Sequence, residues 1–102
     1  MEETWYRASR VCRILGNPIA FQILLALERD GPLTPGVLAQ RVGRTVATVS
    51  LTLAKLQAIE LVRYDAAGGR PHYRLKQSQE TRRLLAALAR FVRLAARLRE
   101  PR

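Results

Sequence analysis

The sequence predicts a mainly α-helical domain with one small β-hairpin, a winged helix-turn-helix of order α-α-α-α-β-β-α. Three observations carry that prediction. In TVATVSLTLAKL, Val46, Val49, Leu53 and Leu56 are spaced three, four and three residues apart, which places them along one side of a helix. A shorter helical segment precedes this one across a tight turn containing Gly43, and two helices joined in that way form a helix-turn-helix. Two alternating stretches flanking AAGG then read as a hairpin, and a long amphipathic segment follows it.

Taken in order, Thr4 to Leu15 places Trp5, Ala8, Cys12 and Leu15 on one helical stripe. Gly16 and Asn17 end that helix, and Pro18 suits the first turn of the next. The second helix is expected to run to about Asp30, with Ala20, Ile23, Leu24 and Leu27 facing inward, until Asp30, Gly31 and Pro32 break it. Thr34 is a good N-cap with Pro35 at the first helical position, so a short third helix runs to Val42. Gly43 is expected to close it in the left-handed conformation.

The fourth element has a rival reading. From Thr48 to Leu53 polar and apolar residues alternate, and Thr and Val favour strands. A strand would have to stop near Leu53, where no turn residue stands, whereas Ala54, Lys55 and Leu56 continue the helical spacing toward Ile59. Thr45 caps the segment. The expectation is therefore a helix from Thr45 to Ile59, with tertiary packing overriding local strand propensity.

Leu61 to Asp65 and His72 to Lys76 are the expected strands, joined by a glycine turn from Ala66 to Gly69. Pro71 lacks an N–H and predicts an edge at that point. The last helix, from about Ser78 to Arg99, carries Leu84, Leu88, Phe91, Ala95 and Leu98 at four-three-four-three spacing, widened by Leu85 and Val92. Arg83, Arg90, Arg93 and Arg97 lie on its other side. With no repeat, low-complexity tract or linker, residues 1–102 are expected to form a single domain. Its parts are dimerisation helices at 1–15 and 78–99, a helix-turn-helix at 34–59 and a wing at 61–76.

Net charge is +10, and it is unevenly placed. Residues 1–30 carry four basic and four acidic side chains. The excess arises later: three basic against one acidic residue in 31–60, four against one in 61–77, and seven against two in 78–102. An uneven basic surface points to a polyanion; a solvated arginine face is the plainer alternative. No apolar run approaches the roughly 20 residues that span a bilayer, and MEETW lacks the basic and apolar regions of a signal peptide, so a cytoplasmic protein is expected. One cysteine, Cys12, cannot make an internal disulfide or supply a soft-metal site alone.

The order of elements suits DNA, because the second helix of the motif fits the major groove and the hairpin reaches along the backbone. From about Ile14 to Lys76 the chain also resembles the arsenic-repressor (ArsR) family of small dimeric transcriptional regulators, most clearly in TVSLTLAKL, ELV and HYRL. That resemblance implies a homodimer, an operator of two-fold symmetry and repression released by an effector, which the residues do not identify. Carried over position by position, it implies that Val46, Ala47, Thr48, Ser50, Leu51 and Thr52 face the groove. Leu51 and Thr52 stand where arginine and histidine are common in the family, so the strongest polar readers are missing and low selectivity follows. Thr48, Ser50 and Thr52 can donate to phosphates or bases, and Val46 or Leu51 can meet thymine methyls. Alternatively, Leu51 packs against the hairpin or another chain.

Arg41, Arg44 and Lys55 are candidate phosphate contacts, the cap residue Thr45 is counted with them at the DNA interface, and Arg70 at the wing tip is a candidate for the minor groove. Each is otherwise a solvated charge, which is the reading favoured for Arg63, Arg74 and Lys76. His72, the lone histidine, reads as a structural or phosphate contact rather than a ligand. Glu60 stands where the family usually has glycine, so a retained positive φ would store strain there.

No metal or cofactor is expected. One family metal site needs cysteines in the third helix, where this chain has Thr34, Gly36 and Ala39; another needs His and Asp or Glu along the last helix, which has no His or Asp. Cys12 is a candidate thiol sensor or, more plainly, a small apolar group. The dimer interface is expected from Trp5, Ala8, Cys12 and Leu15 together with Leu84, Leu88, Phe91, Ala95 and Leu98. A basic amphipathic helix can also lie on a membrane, but the breadth of its apolar stripe favours the dimer. Two other function classes stand beside the DNA-binding regulator. One is a winged-helix module that holds a protein through Leu51 and the hairpin. The other is an enzyme, the weakest reading, because no nucleophile-base pair, metal cluster or phosphate-cradling loop is visible.

Overall fold

Three helices and the base of a hairpin enclose the core. The computed structural model describes residues 1–99; the last three residues of the expected 1–102 domain lie outside the described ones. The order is α1 (Glu3–Leu15), α2 (Pro18–Asp30), α3 (Pro35–Val42), α4 (Val46–Ala58), β1 (Val62–Asp65), a single 3₁₀ turn (Ala67–Gly69), β2 (His72–Leu75) and α5 (Ser78–Arg99). Ala20, Ile23, Leu24 and Leu27 of α2 pack with Leu38 and Ala39 of α3, Val49, Leu53 and Leu56 of α4, and Val62 and Leu75 of the strands. Helical period therefore governs residues 46–58. A strand there would have put Thr48, Ser50 and Thr52 together on one face, whereas Ser50 is exposed and Thr52 is buried.

Each helix start has a local cause. Asn17 Oδ1 accepts from the Ile19 and Ala20 N–H groups, and Pro18 needs no partner at the first position. Thr34 and Thr45 cap α3 and α4 by accepting from Val37 N–H (3.2 Å) and Thr48 N–H (3.1 Å). Gly43, at φ 66° and ψ 39°, ends α3 in the left-handed conformation, and the Arg44 N–H returns to the Ala39 carbonyl at 3.1 Å.

The strands pair antiparallel with Arg63 opposite Arg74 and Tyr64 opposite Tyr73. Tyr64 and Tyr73 meet edge to face, with ring centroids 5.4 Å apart. Leu33 adds a bridge to the far side of β2: its N–H donates to the Tyr73 carbonyl (3.0 Å) and its carbonyl accepts from Tyr73 N–H (2.8 Å). That isolated bridge covers Tyr73 alone on the outer side of β2.

The two terminal helices are the least enclosed. No residue of α1 is buried. Among the described residues of α5, Thr81 and Leu85 alone are buried, and Arg82 holds Glu28 of α2 at 3.5 Å. Beyond those first two turns Phe91, Val92, Leu94 and Leu98 are exposed, Phe91 to 71 %. Within α1, Leu15, one of the residues expected at the dimer face, packs half-buried with Ile14 against the core of its own protomer.

Candidate nucleic-acid interface

The outer face of α4 is set by which side its core residues occupy. Val49, Leu53 and Leu56 turn inward, which leaves Ala47, Ser50 and Leu51 in solvent, Leu51 at 68 %. Val46 shares the inward spacing yet is 50 % exposed, because it sits in the first turn where α4 has only begun to meet the core. It lies at the rim of the outer face. Thr48 is half-buried, and its hydroxyl accepts from the Thr45 hydroxyl at 3.0 Å.

Thr52 is a correction. It was expected to face the groove, but it is only 9 % exposed, and its hydroxyl donates to the Thr48 carbonyl one turn back at 3.0 Å. That bond satisfies a polar group turned toward the protein. The alternation of Thr and hydrophobic residues hides this, because a threonine can lie on either side of a helix.

The cations separate into two groups. Arg41 is in an ion pair with Asp30 at the end of α2, and Lys76 is in one with Glu60. Among the described residues Arg44 and Lys55 have no ion-pair partner and remain exposed at the two ends of α4. Arg70 is exposed at the wing tip, after Gly68 and Gly69 turn the chain at φ 80° and 83°. His72 Nδ1 is 3.0 Å from the Arg70 carbonyl, so in the Nδ1-protonated form the ring braces the tip through the wing's own backbone.

Glu60 has φ 69°, the one positive φ of a non-glycine residue among the described residues. Its carboxyl is held below the ordinary range by the hydrogen bond from Lys76 and then by that residue's charge. One further feature escaped the residue patterns. A recess of about 250 Å³ brings Arg13 of α1 beside Lys55, with Ile14, Asn17, Ala20 and Thr52 around them. Its members lie far apart in sequence, so no local spacing marks it. Thr34, Gly36 and Ala39 offer no sulfur, and among the described residues no group of three or more His, Cys, Asp or Glu is placed to hold a metal ion. Cys12 is exposed on α1.

The helix-turn-helix domain family matches residues 15–65, half of the chain and the span that contains α2, the motif and β1. The chain is similar to the cadmium metal-sensor CmtR from Mycobacterium tuberculosis, with 37 % identity over 74 % of this chain and 78 % of that one and a TM-score of 0.64. The homodimeric winged helix-turn-helix DNA-binding domain Mb0332 from Mycobacterium bovis, described as a possible ArsR-family regulator, has the same fold. It aligns with a TM-score of 0.83 at 24 % identity, over 98 % of this chain and 91 % of that one. The chain belongs to the ArsR family of winged helix-turn-helix regulators. NolR from Sinorhizobium fredii is a further similar structure, with 27 % identity, a TM-score of 0.76 and 87 % of each chain covered. No curated protein is a significant match to the chain. As an ArsR-family protein it is a DNA-binding transcription regulator, not an enzyme, and α4 is the second helix of its motif.

Proposed function

We propose that this ArsR-family chain is a homodimeric repressor that lays α4 of each protomer in successive major grooves of an operator with two-fold symmetry. It acts in the cytoplasm, where such DNA lies. The observation that carries this reading is the outer face of α4. Ala47, Ser50 and Leu51 stand in solvent between two cations, Arg44 and Lys55, that have no ion-pair partner among the described residues. Small residues let a groove floor approach closely, Ser50 offers a hydroxyl to a base or phosphate, and Leu51 fits a thymine methyl. Among the described residues that face carries no arginine or asparagine, and its one glutamine, Gln57, stands at the far end of the helix, so phosphate contact dominates affinity and base discrimination is shallow.

The dimer reading is supported by the apolar residues that α1 and α5 leave outside the core, Trp5, Leu88, Phe91 and Leu98 among them, and by the homodimeric form of the Mycobacterium bovis domain. Metal sensing is not carried over from CmtR, since Cys12 is the chain's one thiol and the third-helix positions are Thr34, Gly36 and Ala39. Selection of bound sites from random duplexes, followed by anisotropy across a salt series, tests the function. A palindromic preference with steep salt dependence is expected; absence of duplex binding at low salt overturns it.

A further inference from the structure

Arg13 belongs to the N-terminal third of the chain, whose net charge is zero, and to a helix assigned by its stripe to dimer contacts. The fold nevertheless carries it to α4. Arg13 and Lys55 line one recess of about 250 Å³, together with Ile14, Asn17, Ala20 and Thr52. No carboxylate lines it, and among the described residues neither cation has an ion-pair partner, whereas Glu28, Asp30 and Glu60 are each engaged by another cation. The recess gains nothing from free amides at the start of α2, because Asn17 Oδ1 already accepts from Ile19 and Ala20. Its charge is side-chain charge. Two cations converging on one concavity repel one another until an anion sits between them.

The position of the recess names the anion. Thr48 and Lys55, seven residues apart, lie on the same flank of α4, next to the outer face of Ala47 and Leu51. A helix in a major groove has a phosphate strand along each flank. We infer that Arg13 and Lys55 together hold one backbone phosphate of the bound duplex, which extends the DNA interface from the helix-turn-helix onto α1. This rests on the DNA-binding mode proposed above. It also couples the two terminal functions of α1, since the helix that carries Trp5 toward a second protomer carries Arg13 toward the duplex.

Anisotropy of a labelled duplex over a salt series, with the full chain and the variants Arg13→Gln, Lys55→Gln and both, tests the clamp. Each single change is expected to weaken binding about 3- to 10-fold at fixed salt and to lower the log–log salt slope by less than about 1, the share of one phosphate, which the double change should remove in full. The double variant should fall short of the product of the singles, because both act on one phosphate. Arg13→Lys should retain most of the affinity, and light scattering should show the assembly of Arg13→Gln unchanged. Wild-type affinity and slope in Arg13→Gln overturn the clamp while duplex binding itself stands; fully multiplicative effects overturn the sharing. If inorganic phosphate raises the melting temperature of the wild type and not of Arg13→Gln, with duplex binding equal in both, the recess takes a free anion and the inference fails. No duplex binding by the wild type overturns the underlying mode as well.

Discussion

Glu60 and Lys76 close the base of the wing: the residue that leaves α4 at φ 69° accepts a hydrogen bond from the residue that follows β2. The pair links the end of the recognition helix to both strands, since the Lys76 N–H also donates to the Leu61 carbonyl at 3.1 Å. A left-handed glutamate costs about 1 kcal/mol more than a glycine in the same place. Glu60→Gly removes that strain and the ion pair together. Because both partners are largely solvated, the strain relief should win, and the melting temperature should rise by a few degrees, within the ~4–8 °C that 1 kcal/mol gives a domain of this size. Calorimetry that shows a fall would mean the pair contributes more than the strain removes.

The same pair sets an acid-side dependence. Lys76 lowers the Glu60 carboxyl below its ordinary value of 4.5, so the folded state binds this proton less readily than the unfolded chain. Its contribution is present in full above the ordinary carboxylate value. It is lost as pH falls through the lowered folded value. Lys76→Met should therefore melt below the wild type at neutral pH, with the gap closing in that acidic window. A gap that stays constant on acidification would contradict the assignment.

Arg41 and Arg44 should differ although they lie three residues apart. Arg41 is already paired with Asp30, whereas Arg44 has no ion-pair partner among the described residues. Arg44→Gln should weaken duplex binding at every sequence and lower the salt slope by about 1; Arg41→Gln should change the slope much less. Equal slopes for the two variants in anisotropy would show that DNA displaces Asp30.

On α4, Thr52→Val should leave duplex selectivity unaltered, because the hydroxyl faces the Thr48 carbonyl and not the groove. Leu51→Arg should do the opposite. It places a forked donor on an outer-face position that is 68 % exposed, where one good contact to guanine discriminates by about 1–3 kcal/mol. Site selection with both variants checks this; a changed preference in Thr52→Val would place that residue back among the readers.

Leu88→Glu with Phe91→Glu should give monomers in light scattering, since both side chains lie on the apolar side of α5 beyond Leu85, the last buried one among its described residues. An unchanged dimer would assign the interface to α1 alone.

Most of the fold was legible because its signals are local. Thr34 with Pro35, the glycine at 43 and the spacing from Val49 to Leu56 each act within a few residues, and helix bounds follow from them. The bridge from Leu33 to Tyr73 was not legible, because one paired residue leaves no alternating run to read. Site residues were harder. Thr52 looks like a reader until its neighbour one turn back is known to take its hydroxyl, and Arg41 looks like a phosphate contact until α2 brings Asp30 to it. Arg13 and Lys55 meet only through the packing of α1 and α4.

The join between α3 and α4 has a consequence for control. Gly43 in its left-handed turn, the return of Arg44 N–H to Ala39 and the cap that Thr45 gives to Thr48 N–H pin this corner through its own backbone. The two helices must travel as one solid piece. In the proposed dimer, a signal that loosens the grip on an operator would therefore alter how far apart, or at what tilt, two such pieces are carried, and the long levers that would set that distance are the outermost helices, α1 and α5.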